Sequence, residues 1–269
     1  FILLFMSSIT DENTLVANGY SFFPKKFSLA SYSYIIKSGG QILKAYGVSI
    51  GVTVVGTLLN VLLSALMAYP LSVKNLPGRN VMMFFVFFTM LFNGGIVPSY
   101  IMWTGTFHIK DTIFAQLLPN FLLSAWNVMM IRTYFTTSIP DGLYEAAEID
   151  GASQFTIFWK IVLPLGKPIL VTMGTFAGLA YWNDWTNGLY YIVKNTGLYN
   201  VQNLLNQMVQ NIQFLTQSSN SNVTAAASTI PATGIQMAIA FVAILPIMLI
   251  FPSFQKYYAK GIALGAVKG

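Results

Sequence analysis

Long uncharged apolar runs alternate with short polar segments, and the lengths of those runs predict the architecture. Tyr46 to Leu71 carries no charge, and at about 1.5 Å per residue it is long enough to cross a hydrocarbon layer of about 30 Å. Val81 to Trp103 reads as the next span, with Asn93, Gly94, Gly95 and Pro98 interrupting its second half. Such interruptions are tolerated where protein or water covers the freed backbone groups. Ile113 to Tyr134, Pro168 to about Tyr191 and Gly234 to Phe254 are predicted as further spans. Phe1 to Met6 is apolar but too short to cross, and residues 1–6 are expected to be the tail of a truncated first span. The pattern therefore predicts an all-α, polytopic membrane helix bundle of six spans. Residues 7–45 have no sustained period and are expected to form an extracytoplasmic loop with one short amphipathic helix; residues 46–269 are expected to form the transmembrane domain.

The polar segments give this bundle its sidedness. Lys74-Asn-Leu-Pro-Gly-Arg79 is a tight basic turn, and Lys256, Lys260 and Lys268 make a basic tail. With these inside, Arg132, Lys160 and Lys167 join them, while Lys25, Lys26, Lys37, Lys44, Lys110 and Lys194 lie outside. Residues 135–167 are the most charged stretch and fall on the cytoplasmic side. Residues 192–233, rich in Asn, Gln, Ser and Thr, fall outside, with a helix expected over Asn200 to Leu215 and a polar loop over Gln217 to Ala232. Of the 269 residues, 55% are hydrophobic and 8% charged, against about 25% charged in a soluble domain. The formal charge of +6 sits mostly beside apolar runs, as membrane anchoring requires, so nucleic-acid binding is discarded. The chain has no cysteine and one histidine, His108, which excludes thiolate chemistry and cysteine- or histidine-rich metal sites.

One segment combines features that an ordinary loop does not. Ser138-Ile-Pro-Asp141 predicts a helix start, with Ser138 as cap, Pro140 in the first turn and Asp141 against the helix dipole. A helix is then expected through Leu143-Tyr-Glu-Ala-Ala-Glu-Ile149, a bend at Gly151, and a second amphipathic helix from Ala152 to Val162 before Leu163-Pro164. Glu145-Ala-Ala147, Gly151 and Ile161-Val-Leu-Pro164, at their spacing, resemble the cytoplasmic EAA loop of binding-protein-dependent ABC importer permeases. The maltose-type carbohydrate branch is resembled by Ala125-Trp-Asn-Val128, Arg132-Thr-Tyr-Phe135, Ile149-Asp-Gly-Ala-Ser153, Tyr181-Trp-Asn183 and the closing Lys260 to Gly269. The resemblance runs from about Tyr46 onward.

That resemblance implies a type I ABC importer transmembrane domain in a bacterial cytoplasmic membrane. It implies a second homologous permease, two copies of an ABC ATPase, an extracytoplasmic solute-binding protein and a sugar or oligosaccharide substrate. Glu145, Ala146, Ala147, Asp150 and Gly151 are then the ATPase-docking residues, although Asp150 fits equally a local cap of the second helix. No Gly-x-x-x-x-Gly-Lys-Ser/Thr occurs, so no P-loop cradles nucleotide here. The chain is expected to bind no cofactor and to be no enzyme itself, with ATP and Mg held by the partner ATPase.

A path for a hydroxyl-rich solute needs amides and aromatic faces, and Asn60, Asn93, Trp126, Asn127, Trp182, Asn183, Asp184 and Trp185 are its candidates. Asn60 and Asn127 equally suit hydrogen bonding between helices, and Trp182 and Trp185 an interfacial belt. Asp184 is either an intramembrane carboxylate, which is costly and points to function, or a solvated residue at the outer mouth. Gly47/Gly51 and Gly174/Gly178 repeat at four-residue spacing and suit close helix packing. The rival reading is an ion-gradient-driven secondary transporter of a small polar solute, which predicts a chain of intramembrane carboxylates and pseudo-symmetric halves; neither is evident. A membrane-embedded enzyme, needing clustered His, Asp or Glu at one depth, ranks last.

Overall fold

The computed structural model describes residues 1–37, 39–217 and 232–266, together with the side chains of these residues other than 212, 215–217 and 250–266. The expected polar loop over 217–232 therefore lies almost wholly outside the described residues, as do the side chains of the basic tail at Lys256, Lys260 and Lys268. Apart from one isolated antiparallel bridge between Thr10 and Phe27, regular structure among the described residues is helical. The chain divides into two compact units, one of Phe1–Ile50 with Asp184–Phe251 and the other of Gly51–Asn183 with Pro252–Gly269.

In the first unit, α1 (Ile2–Ser8), α2 (Glu12–Asn18) and α3 (Ala30–Lys37) precede α4 (Gly39–Ser72), whose first turns belong here. The single short helix expected within residues 7–45 is thus two, α2 and α3, and the first full span starts at Gly39 rather than Tyr46. An apolar core joins Ile35 of α3, Ile42 and Ala45 of α4, Val201 and Leu205, and Ile235 and Ile239. Two polar contacts fix this packing: the Tyr46 hydroxyl donates to the Val242 carbonyl at 2.7 Å, and Ser49 Oγ accepts from the Val201 amide at 2.8 Å.

Glu12 secures the last helix. Its Oε1 and Oε2 accept the Thr233 and Gly234 amides, each at 2.8 Å, where the chain enters the helix over Ala232–Ala266. Two amides that a helix start leaves without intrahelical partners are satisfied by one carboxylate, in the favourable sense of the helix dipole. Glu12→Ala is expected to lower stability by about 1–2 kcal/mol, read as an earlier thermal unfolding midpoint of the purified protein; an unchanged midpoint would remove this contact from the account.

The second unit holds the rest of α4 and the helices α5 (Arg79–Leu91), α6 (Ile96–Ile101), α7 (Phe114–Leu117), α8 (Ala125–Ser138), α9 (Asp141–Ile149), α10 (Gln154–Ile157), α11 (Leu163–Leu165) and α12 (Lys167–Asn183). By length and composition, α4 and Ala232–Leu249 each suffice to cross a membrane as one helix. Two further spans qualify only as bent pairs: Arg79–Leu91 with Ile96–Thr106, at 109°, and Gln154–Leu165 with Lys167–Asn183, at 78°. The first bend falls at the predicted interruption. Gly95 has φ +85°, and Asn93 Oδ1 accepts the Gly95 amide at 2.9 Å.

Two expectations are corrected here. Ile113 to Tyr134 is not one continuous span, because Pro119 cannot propagate a helix and Asn120 takes φ +68°, so the chain breaks after α7 and restarts at α8 under a Ser124 cap. Pro168 to Tyr191 also breaks, ending α12 at Asn183 before the first unit resumes with α13 (Thr186–Tyr191) and α14 (Val201–Gln217). The final helix, α15 (Ala232–Ala266), and α14 cover the segments in which helices were expected.

Close packing of the second unit is carried by small residues, but only partly by those expected. On α12, a Cβ at Gly174 would sit 3.3 Å from Val61, and one at Gly178 would sit 3.3 Å from Thr57, both on α4. Gly47 and Gly51 meet nothing, and a closer approach between α4 and α12 is at Gly56, unremarked by spacing alone, against the ring of Tyr181.

Candidate functional site

The charged segment after α8 folds as a helix, a bend and a helix. Pro140 occupies the position before α9, with Asp141 in its first turn, while Ser138 is the last residue of α8. Ser138 is therefore not the cap of α9, because Ile139 and Pro140 are extended and separate the two helices. Gly151 closes α9 with φ +75°, and the Asp150, Gly151 and Ala152 amides donate back to Ala146, Glu148 and Ala147 carbonyls at 2.9–3.0 Å. This is the left-handed exit that favours glycine at the end of a helix. Ser153, rather than Asp150, caps the next helix, its Oγ accepting the Thr156 amide at 3.2 Å; Asp150 instead ends α9. A π-helical turn, Phe158–Val162, then continues α10 toward α11.

The loop is packed onto the bundle through one face only. Ala147 and Tyr144, three residues apart, turn inward onto a core of Ala68, Tyr69, Leu71, Ile139, Ile157 and Phe158. Burial pushes the Tyr144 phenol up, the Ser72 hydroxyl partly offsets this, and the Asp141 charge adds to it. Glu145, Ala146, Asp150 and Gly151 lie on the exposed face. Ala147, expected beside Ala146 in the docking set, is only 9% exposed and serves the chain's own core. The exposed face carries an apolar residue the sequence reading passed over, Ile149, 86% exposed, with Leu143 exposed one turn and a half earlier. The signal for Ile149 was available: an isoleucine beside an aspartate at a helix end that has no apolar neighbour at i−4. Asp141 pairs with Lys74 of the basic turn, but both side chains are more than half exposed, so this pair contributes little.

The path candidates are not one constellation. Asn60 and Asn127 are buried and joined: Asn127 Nδ2 donates to Asn60 Oδ1 at 2.8 Å, and Asn60 Nδ2 donates to the Phe121 carbonyl at 2.7 Å. The pair fastens the break before α8 to α4. Asn60→Leu, which keeps the volume but strands the Phe121 carbonyl and the Asn127 amide, is expected to cost about 1–2 kcal/mol. Thermal unfolding of the purified variant checks this, and wild-type stability would contradict it. Asn93 holds its own turn, Trp126 is exposed, Trp182 is buried near the end of α12 and Asn183 is exposed.

Asp184 and Trp185 open the first unit's second segment. Asp184 is only 5% exposed, so the solvated reading of this carboxylate gives way to a buried one. Its Oδ1 accepts the Thr186 amide at 3.0 Å, the Thr186 hydroxyl at 2.7 Å and the Asn187 amide at 3.3 Å, which offsets only part of its desolvation, since Oδ2 is buried without a hydrogen-bond partner among the described residues. Asn200 Nδ2 donates to the Asp184 carbonyl at 2.6 Å, Asn200 Oδ1 accepts the Asn203 amide at 2.8 Å at the start of α14, and Asn203 Nδ2 donates to the Trp185 carbonyl. Trp185 itself is 42% exposed. The buried asparagines 187, 200 and 203 went unremarked in the sequence, where Asn200-x-x-Asn203 has the spacing of a helix cap.

Among the described residues no group of three or more His, Cys, Asp or Glu is placed to hold a metal ion. Residues 46–264 match the model of the binding-protein-dependent transport system inner membrane component family. The chain is 36% identical over its full length to Protein LplC of Bacillus subtilis, covering 88% of that protein. It is 37% identical over its full length to the polygalacturonan/rhamnogalacturonan transport system permease protein YtcP of the same organism, covering 92%. It resembles a chain in the crystal structure of a bacterial ABC transporter involved in the import of the acidic polysaccharide alginate, with TM-score 0.80, 26% identity and coverage of 96% of this chain and 89% of that one. A helical membrane bundle with this bent, one-sided loop, matched over most of its length, is a member of the family of inner-membrane components of binding-protein-dependent transport systems, the permeases of bacterial ABC importers.

Proposed function

We propose that this chain forms half of the translocation pathway for a sugar of oligosaccharide size, pairs with a second homologous permease, and is driven by two ATPase copies that dock on the exposed face of α9. The observation that carries the proposal is the loop itself: Glu145, Ala146, Ile149, Asp150 and Gly151 are free on one side, while Ala147 and Tyr144 anchor the other side to the bundle. A small, exposed helix backed by a packed core is suited to seat in a groove of a partner and pass its movement on. Glu145 can reach a basic group on the groove rim, and Ile149 supplies apolar area that a partner would remove from water.

On this reading the chain binds no nucleotide and catalyses nothing; ATP and Mg belong to the ATPase subunits, and a solute-binding protein delivers the substrate. The carbohydrate preference is supported by the relatives named for polygalacturonan and rhamnogalacturonan and for alginate. Closure of the ATPase pair would swing the spans between inward and outward states by rigid-body rocking. Uptake by the reconstituted complex of labelled oligosaccharides prepared from pectin, arabinan and alginate tests the proposal. It should vanish when the P-loop lysine of the ATPase is substituted and persist when an ionophore collapses the ion gradients. The reverse pattern would establish the ion-coupled alternative instead.

A further inference from the structure

We infer that Tyr69, Gln154 and Glu148 form a hydrogen-bond relay that locks the docking helix α9 to the cytoplasmic end of α4, making Tyr69 the positioning residue through which movement of α9 reaches the bundle. The inference rests on the docking reading of α9. The Tyr69 hydroxyl donates to Gln154 Oε1 at 2.5 Å, and Gln154 Nε2 donates to Glu148 Oε1 at 2.7 Å. The direction is imposed by chemistry. A carboxylate only accepts, so Glu148 draws the amide nitrogen of Gln154; the amide oxygen is left facing Tyr69, whose hydroxyl must then donate.

One glutamine side chain therefore ties together three elements: α9 through Glu148, α10 through its own backbone, and α4 through Tyr69. Ring packing reinforces the same joint. The Tyr69 ring stacks on Tyr144 of α9 with centroids 6.4 Å apart and lies 5.4 Å from the Phe158 ring, and Tyr69 is 8% exposed. A further polar link, Lys74 to Asp141, is exposed, as is the Gln154–Glu148 bond, whereas the Tyr69–Gln154 bond is partly buried and is the protected step of the relay. Gly151 lies between Glu148 and Gln154, so the Gln154–Glu148 bond crosses the left-handed bend and adds a side-chain hydrogen bond to the apolar packing that joins α9 to α10. The relay spans that bend and makes helix, bend and helix one lever attached to α4.

The test uses the assembled complex in lipid nanodiscs and liposomes. The chain has no cysteine, so spin labels at Leu59→Cys on α4 and Gly142→Cys on α9, with cysteine-free partner subunits, report the distance between the two helices by pulsed electron resonance. With the relay intact, one narrow distance should persist with and without ATP and vanadate. Tyr69→Phe keeps the ring packing and removes only the donor. It should keep the ATPase bound, broaden the distance on ATP addition and lower oligosaccharide uptake per ATP hydrolysed by about fivefold, the scale of one hydrogen bond. Gln154→Leu should do the same, the double variant should be no worse than either single one, and Glu148→Gln, which retains the acceptor, should behave as wild type. A distance that already shifts in the unmodified relay, additive losses, or a narrow distance in a Tyr69→Phe complex that retains its ATPase would overturn the relay alone. Undiminished retention of the ATPase by both Glu145→Lys and Ile149→Ser would overturn the docking reading and the role of the relay with it.

Discussion

Glu145→Lys is expected to strip the ATPase from the purified permease complex and reduce uptake to background, while the permease itself folds and inserts as before. Glu145 is exposed on α9 and stands outside the core that holds the loop, so reversing its charge leaves the chain's own packing untouched. At the partner's groove the same reversal places like charges together. Truncating one member of a desolvated charge pair costs about 2–5 kcal/mol, so a reversal worth about 3 kcal/mol weakens docking more than a hundredfold. Glu145→Gln, which retains hydrogen-bonding capacity, should lose less. Ile149→Ser tests the apolar half of the face, and partial loss of the ATPase is expected because a largely exposed side chain is covered only when the partner arrives. Co-purification of the ATPase with each variant, at matched permease yield, makes the measurement. Undiminished recovery with both Glu145→Lys and Ile149→Ser would place the ATPase elsewhere.

The loop was largely legible in the sequence because its determinants are local. Gly151 is needed where the backbone turns left-handed, and the apolar positions of each short helix follow from periodicity over a dozen residues. The orientation of the motif was not legible. Whether Ala146 or Ala147 is the exposed one depends on Tyr69, which approaches α9 from far away in the chain, so a pair of small residues looks the same until the packing partner is known. Ser138 failed as a cap for a related reason: Pro140 at the head of α9 fixes extended backbone ahead of it, and α8 runs on to take Ser138 as its last residue.

Spans were legible by hydropathy, and their breaks only where glycine marked them. Gly94-Gly95 announced the first bend, whereas the break at Pro119-Asn120 falls between apolar residues that a hydropathy pattern joins into one run. What stabilises that break is the buried Asn60–Asn127 pair, contributed by residues that no local spacing connects. The same holds for Asp184. Its depth was undecidable from hydropathy, and its burial depends on Thr186 and Asn187 next to it and on the asparagines at the head of α14 that lie around it.

Glycine spacing shows the limit of pattern reading most sharply, and the second large expected effect follows from it. Gly56→Ala should deplete folded permease and lower the stability of what remains by about 3 kcal/mol. A Cβ at this position would lie 2.5–2.7 Å from the Cζ, Cε2 and Cε1 atoms of Tyr181, closer than carbon atoms approach. Tyr181 has little freedom to retreat: it is 2% exposed, its ring packs 5.4 Å from Phe121, and its hydroxyl donates to the Leu117 carbonyl at 2.9 Å. Relief requires either moving α12 off α4 or breaking that hydrogen bond, and overpacking of about 1–3 kcal/mol adds to about 1 kcal/mol for the lost bond. The Leu117 carbonyl lies just before the Pro119-Asn120 break, so the strain would reach the segment that Asn60 fastens. Tyr181→Ala in the Gly56→Ala background should restore expression and thermal stability part of the way, because it removes the obstacle while leaving a cavity and an unpaired carbonyl. Gly47→Ala, where the added methyl meets nothing, is the matched control and should behave as wild type. Equal expression and melting behaviour of Gly56→Ala and Gly47→Ala would mean that α4 and α12 do not meet through this glycine.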